Sequence, residues 1–293
     1  MALTAFAPAK VNLFLHVGAP QPDGYHPLCS LMAFADIGDR VSAYGADALE
    51  VRVTGPFAGM LDPGGDNLVL SAARAILARA RGPKPPVGLL LDKVLPVAAG
   101  LGGGSGDAGA TLRLLRHVLE IPLSDDALEE IAASLGSDGA PCLWGRPVMA
   151  EGRGERLGPA PALPELNAVL VNPGVAVSTP AVYRALDAGG RFSSVEPPAA
   201  PDAFESAAEV AGWLSFQTND LEGPAVSLAP AIGDVLETLA GEPETLLSRM
   251  SGSGATCFAL CAGDFEAEGL AERLEAMRPD WWIRRCRLGG PWD

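Results

Sequence analysis

The sequence predicts an α+β fold in two domains, and three observations carry that reading. Strand-like and helix-like apolar patterns alternate along the chain without strict strand–helix–strand regularity. A glycine-rich run lies between an apolar strand pattern and an amphipathic helix pattern. A Pro/Gly-rich stretch at 158–164 interrupts the chain near its middle. That interruption sets an expected N-terminal domain over 1–160 and a C-terminal domain over 161–293, sizes that suit a chain of 293 residues.

The elements follow in order. Val11, Leu13, Leu15 and Val17 alternate with the polar Lys10, Asn12 and His16, which predicts a strand over 5–17 with one polar face. Shorter strands are expected at 28–34, 40–44 and 49–53. A helix over 67–81 has Leu70, Ala73, Leu77 and Ala80 at spacings of three and four, with Gly82-Pro83 as its stop. The apolar run 87–95 leads into the glycine loop, and a helix over 105–119 follows it. Ser124 caps a further helix that closes at Gly136. Strands are read at 147–151 and 166–171. Thr179 is the expected N-cap, and Pro180 the first residue, of a helix to 186. The stretch 189–202, with Pro197, Pro198 and Pro201, reads as an irregular loop. Helices at 203–214, 220–226, 230–240 and 265–277, strands flanking SGSGAT at 251–256, and a strand at 281–287 complete the chain.

Composition excludes several classes. Hydrophobic residues make up 48% and charged ones 19%, enough apolar material for packed cores. A net charge of −15 disfavours nucleic acid or an anionic membrane as partner, since both are polyanions. Five cysteines, an odd number without a C-x-x-C pair, read as buried thiols in a reducing compartment. No basic segment with a long apolar stretch opens the chain, and no apolar run reaches about 18 residues. The expectation is a cytoplasmic protein.

The chemistry concentrates in PVAAGLGGGSGDAGATL at 96–112. Small residues between a strand and a helix let backbone N–H groups converge on an anion, and the positive end of the helix adds to the attraction. The phosphate-contacting segment comprises Pro96, Val97, Ala98, Ala99, Gly100, Leu101, Gly102, Gly103, Gly104, Ser105 and Gly106. It is not a Walker loop, because Asp107 and Ala108 stand where its lysine would be sought. It also lacks the setting and the ribose-binding acid of a dinucleotide fingerprint. Phosphoryl transfer further needs a cation and a group that positions and deprotonates the acceptor. Lys10, on the polar phase of the first strand, and Asp138, in LGSDGAP just past a helix, are the candidates. Taken singly, a strand lysine is more often a solvated surface residue, and an aspartate just past a helix more often a local turn residue.

Taken together, APAKVNLFLHV, the glycine loop and SGSGAT stand in the order and approximate spacing of the three motifs of the GHMP kinases, which this chain resembles along nearly its whole length. The resemblance implies an N-terminal domain like ribosomal protein S5 domain 2 and a ferredoxin-like C-terminal domain, with ATP bound between them. It implies Asp138 as general base and Lys10 as the cation that supports it and the transferring phosphoryl group. DGYH at 23–26, STPAVY at 178–183 and Asn219-Asp220 resemble family members whose acceptor is a cytidine diphosphate derivative. In that reading Tyr25 and Tyr183 sandwich the base, His26 reads its edge and Asn12 positions the acceptor. Mg²⁺ would arrive with ATP, and its protein ligands are left open, as is the oligomeric state. Homoserine and mevalonate kinases of the same family, or a catalytically silent relative, are the alternatives. Two departures from the family pattern stand out: Gly106 where a second serine is common, and a proline shifted by one position in Asp138-Gly139-Ala140-Pro141.

Overall fold

Strand β3 (Leu28–Gly45) organises the molecule. The computed structural model describes residues 3–61, 67–82 and 84–292. In it β3 runs unbroken through the two short strands expected at 28–34 and 40–44. Asp36, Gly38 and Asp39 interrupt the apolar pattern between those two ranges. The pairing absorbs them through a register shift between Pro8 and Lys10 on the neighbouring strand β1 (Leu3–Asn12). The predicted strand over 5–17 is itself split into β1 and β2 (His16–Val17). Its polar face is dry as well, because helices close over β1, and Lys10 and Asn12 are buried.

Around β3 lie β1, β2, β5 (Val87–Asp92), β6 (Val148–Gly152) and β11 (Trp282–Gly289), all antiparallel to it. β4 (Glu50–Thr54) adds to β5 in parallel, and β7 (Arg156–Pro159), not foreseen from the sequence, pairs with β6 and runs into the Pro/Gly-rich stretch read as a domain boundary. β11 also pairs with β8 (Leu166–Asn172), followed by β10 (Cys257–Cys261) and β9 (Thr245–Met250). The sheet therefore continues across position 160, joined by β11 returning from the end of the chain.

Helices α1 (Leu68–Ala78), α2 (Gly103–Val118), α3 (Asp125–Ser134) and α4 (Gly139–Trp144) share one core with β5, built on Ile76, Leu89, Leu112, Leu115 and Leu143. Asn67 and Ser124 accept from the backbone N–H of Val69 and Ala127, which fixes where α1 and α3 begin. Pro83, expected with Gly82 to stop α1, lies outside the described residues. A second core, with Val182, Leu221, Ile232, Leu239 and Leu270, lies under α5 (Thr179–Gly189), α7 (Glu222–Leu228), α8 (Ala231–Gly241) and α9 (Asp264–Met277). The N-cap of α5 is Ser178 rather than Thr179, whose hydroxyl shares a 2.7 Å hydrogen bond with Ser253 instead. A third core joins Phe14 and Leu31 to Phe258 and to Val210 and Leu214 of α6 (Ala207–Leu214). All five cysteines are buried and free. No helix among the described residues is long and apolar enough to cross a membrane.

Arg249 of β9 links the two halves. Its guanidinium is buried and donates to the backbone carbonyls of Leu13 (2.7 Å), Leu214 (2.9 Å) and Gln217 (2.8 Å). Arg249→Met fills the space but leaves the carbonyls of Leu13 and Gln217 without these donors, while that of Leu214 keeps the backbone N–H of Gln217. At about 1–3 kcal/mol per buried unpaired group, the variant is expected to lose about 2 kcal/mol or more. The check is a lower urea midpoint at unchanged slope.

Candidate active site

β1 enters the site as an extended strand and leaves it at Asn12. Lys10, buried beside α2 and α4, extends its ammonium to Asp138 Oδ2 at 3.1 Å and to Asn12 Oδ1 at 2.7 Å. Asp138 is the residue from which α4, a helix the sequence reading did not foresee, begins. The following glycine is required there: a Cβ on Gly139 would lie 1.9 Å from the carbonyl oxygen of Ala132, so only glycine allows α4 to press against α3 at this corner. The Asp138 carboxylate is about one-third exposed, whereas the ammonium it meets is 4% exposed. The acid therefore faces the open space and the cation stands behind it.

Asn12 has a fixed orientation. Its amide nitrogen donates to Ser30 Oγ at 2.7 Å, and Ser30 donates in turn to the carbonyl of Phe14 at 2.6 Å. The amide oxygen must then point at Lys10. The backbone N–H of Asn12 donates to Ser251 Oγ at 3.1 Å, and Ser251 donates to the carbonyl of Gly100 at 2.9 Å. One hydroxyl of SGSGAT thus ties β1 to the glycine loop. Further backbone bonds, Lys10 N–H to Leu101 O and Thr256 N–H to Ala99 O, complete the junction. Gly100 has a φ of +76°, and a Cβ there would lie 2.2 Å from the Ser251 carbonyl oxygen, so the crossing admits no side chain.

The loop bounds a cavity of about 750 Å³ lined by Lys10, Asn12, Pro96–Gly100, Gly102–Ser105, Asp138 and Tyr183, with Asn67 and Leu68 of the α1 start on another side. α2 begins at Gly103, two residues before the expected 105, so the N–H groups of its first turn face this space as an anion-binding end. Ser105 offers its hydroxyl in the same turn. Leu101 and Gly106 point elsewhere: Leu101 is in the core, and Gly106 is buried against Ala7 and Pro8.

The aromatic candidates are only partly gathered. Tyr183 lines the cavity. Its burial, and then the negative field of Asp138, push its phenol up to about 12, so the hydroxyl keeps its proton. His26 stacks obliquely on Tyr183, ring centroids 5.2 Å apart, with Nδ1 2.8 Å from the carbonyl of Gly18 and Nε2 3.2 Å from Asp187 Oδ1. Tyr25 is exposed and carries the Arg153 guanidinium over its ring at 4.1 Å, while Arg153 also bonds Asp23. Neither Tyr25 nor His26 lines the cavity itself.

Sequence reasoning missed Ser30, Ser251 and a buried trio of Asp39, Lys93 and Asp107. Ser30 carries no local signal, and Ser251 was visible only as the first residue of SGSGAT, with no role attached. A lysine in the apolar run 87–95, and an aspartate in the first turns of a helix whose inward face is otherwise apolar, were the available hints for the trio.

Comparison with known proteins assigns the chain to a family. The GHMP kinases N terminal domain matches residues 67–146, and the GHMP kinases C terminal domain matches residues 200–280. The 4-diphosphocytidyl-2-C-methyl-D-erythritol kinase of Caulobacter vibrioides is 65% identical over 289 residues, covering 98% of this chain and 100% of the relative. The enzyme of that name from Hyphomonas neptunium is 48% identical over 299 residues, covering 98% and 97%. The crystal structure of a 4-(cytidine 5'-diphospho)-2C-methyl-D-erythritol kinase superposes with a TM-score of 0.78 at 34% identity, over 99% of this chain and 100% of that one. A homoserine kinase from Cytophaga hutchinsonii, at 19% identity and a TM-score of 0.69 over 98% and 95%, shares the fold. The chain belongs to the GHMP kinases and is an ATP-dependent small-molecule kinase.

Proposed function

We propose that this chain transfers the γ-phosphoryl group of ATP to the C2 hydroxyl of 4-diphosphocytidyl-2-C-methyl-D-erythritol, a step of the non-mevalonate route to isoprenoid precursors. The observation that carries the reading is the Lys10–Asp138 pair at 3.1 Å, on the wall of the same cavity as the glycine loop. It is supported by the 65% identity to the Caulobacter vibrioides kinase of that name.

The chemistry proceeds in one displacement. Asp138 accepts the proton of the C2 hydroxyl, the oxygen attacks the γ-phosphorus, the bond to the β,γ-bridging oxygen breaks, and ADP leaves. The backbone N–H groups of 102–105 hold the β- and γ-phosphates, and the α2 dipole opposes their charge. Lys10 offers its ammonium to the charge that develops on the γ-phosphoryl oxygens, held toward the cavity by Asn12. Tyr183 and His26 form one wall of the cytosine site, with Tyr25 on the outer side, where Arg153 now covers its ring. The domain division at 160/161 is part of the same proposal, since it sets ATP and acceptor between two lobes.

Mg²⁺ would enter with the nucleotide. Its ligands would be chiefly phosphate oxygens and water, with one or two protein oxygens at most. The ion supplies charge neutralisation on the phosphates, and the roles above belong to the chain's own groups.

A coupled ADP-release assay with ATP and 4-diphosphocytidyl-2-C-methyl-D-erythritol is expected to show turnover, with homoserine and mevalonate inert. Turnover of either of those, and none of the cytidylyl compound, would overturn the assignment. Asp138→Asn is expected to keep ATP affinity and slow turnover by at least ~100-fold, the scale of a lost general base. Ser30→Ala frees the Asn12 amide to rotate, so kcat is expected to fall about tenfold with the KM for ATP unchanged. Ser30→Thr, which keeps the hydroxyl, is expected to restore most of the rate.

A further inference from the structure

The buried trio beside the glycine loop is not used by the mechanism above. Lys93, just past the end of β5, places its ammonium 2.5 Å from Asp39 Oδ2 and 2.7 Å from Asp107 Oδ2. Each of the three side chains is at most 4% exposed. Asp39 is saturated: its other oxygen accepts from the backbone N–H of Val94 at 2.6 Å and of Leu95 at 2.9 Å. Asp107 is not. Its Oδ1 is buried and has no hydrogen-bond partner among the described residues, and the residue lines the cavity next to Gly103 and Gly104.

Two carboxylates on one ammonium leave one buried negative charge in excess. That charge lies at the foot of the loop that receives the most anionic part of the nucleotide. Other groups do not cancel it. From α4, Cys142 stays a neutral thiol, because burial and then Asp138 raise it. Lys10 on β1 is committed to Asp138 and Asn12. On α1 Arg74 is exposed, and on α3 Asp125 pairs with Arg116 while Glu129 accepts from Trp144.

We infer that Asp107 takes up a proton when ATP binds, turning its orphaned oxygen into an O–H and removing a like charge from beneath the phosphates. The free enzyme is already close to that state: burial, against the pull of Lys93 and with the repulsion of Asp39, pushes Asp107 up to about 7. Burial pulls the Lys93 ammonium down, but the two carboxylates outweigh it and keep it charged. The sign follows. A nucleotide of negative charge raises Asp107 further, so the gain in affinity is full below the free enzyme's value near 7 and is lost as pH rises through the higher value of the complex.

The inference rests on the glycine loop being the ATP cradle, and the experiment separates the two. MgATP is titrated calorimetrically into the full-length protein at pH 7.5, without acceptor, in buffers of different ionisation enthalpy. Expected are a binding heat that varies with buffer, corresponding to uptake of about half a proton or more, and a Kd that weakens by up to about tenfold per unit of upward shift between pH 6.5 and 8.5. D107N is expected to bind MgATP with no buffer dependence and a flat pH profile. Binding of MgATP without proton uptake by the wild type, or equal uptake by D107N, overturns the inference and leaves the cradle standing. No MgATP binding by the wild type overturns both. If D107N does not fold, infrared difference spectra of the wild type on release of caged ATP replace it. A new protonated-carboxyl band supports the inference, and its absence overturns it.

Discussion

A buried ammonium is the constraint on which the site depends. Lys10 sits where β1, the glycine loop and the start of α4 meet, and an unpaired charge there would cost several kcal/mol. The surroundings meet that demand with one carboxylate, Asp138, and one oriented amide, Asn12. Each partner is fixed by something else: Asn12 by Ser30, Asp138 by the close approach of Gly139 to α3. Satisfying the lysine therefore aligns a strand, a helix start and a loop. The same alignment leaves a carboxylate facing the space beside an anion-binding helix end.

The glycine loop is defined as much by what lies behind it as by its own flexibility. Ser251 and Thr256 of the second glycine turn bond to Gly100 and Ala99 from behind. The Asp39–Lys93 pair holds the strand that leads into the loop, and Asp107 holds the helix that leads out of it. Such bracing keeps a run of small residues in one conformation and lowers the entropy lost when a phosphate is bound.

Much of this was legible in the sequence, and the reasons are local. Ser124 announced a helix start because a short polar side chain ahead of an apolar period has one common use. The loop and Lys10 were legible as parts of a shared motif order, and Asp138 only through the resemblance to that family. What stayed hidden was set by pairing across long sequence separations. The unbroken β3 and the dry polar face of β1 depend on which elements cover them. β7 and α4 are too short to show a period. Ser30, 18 residues from Asn12, looks like any other serine until the chain is folded, and the SGSGAT motif does not reveal that Ser251 bonds to Gly100, 151 residues away. Tyr25 and His26 were legible as a motif, but their position outside the principal cavity was not.

We propose that Lys10 and Asp138 work as one unit in phosphoryl transfer. A double-mutant cycle in single-turnover rapid quench tests it, with enzyme in excess and the cytidylyl acceptor saturating. Lys10→Met and Asp138→Asn are each expected to slow transfer by about 100-fold or more. The double variant should be no slower than the worse single one within about threefold, as for groups that act together. Losses that multiply, to about 10⁴-fold, would mean that the two act independently, and the account would be contradicted.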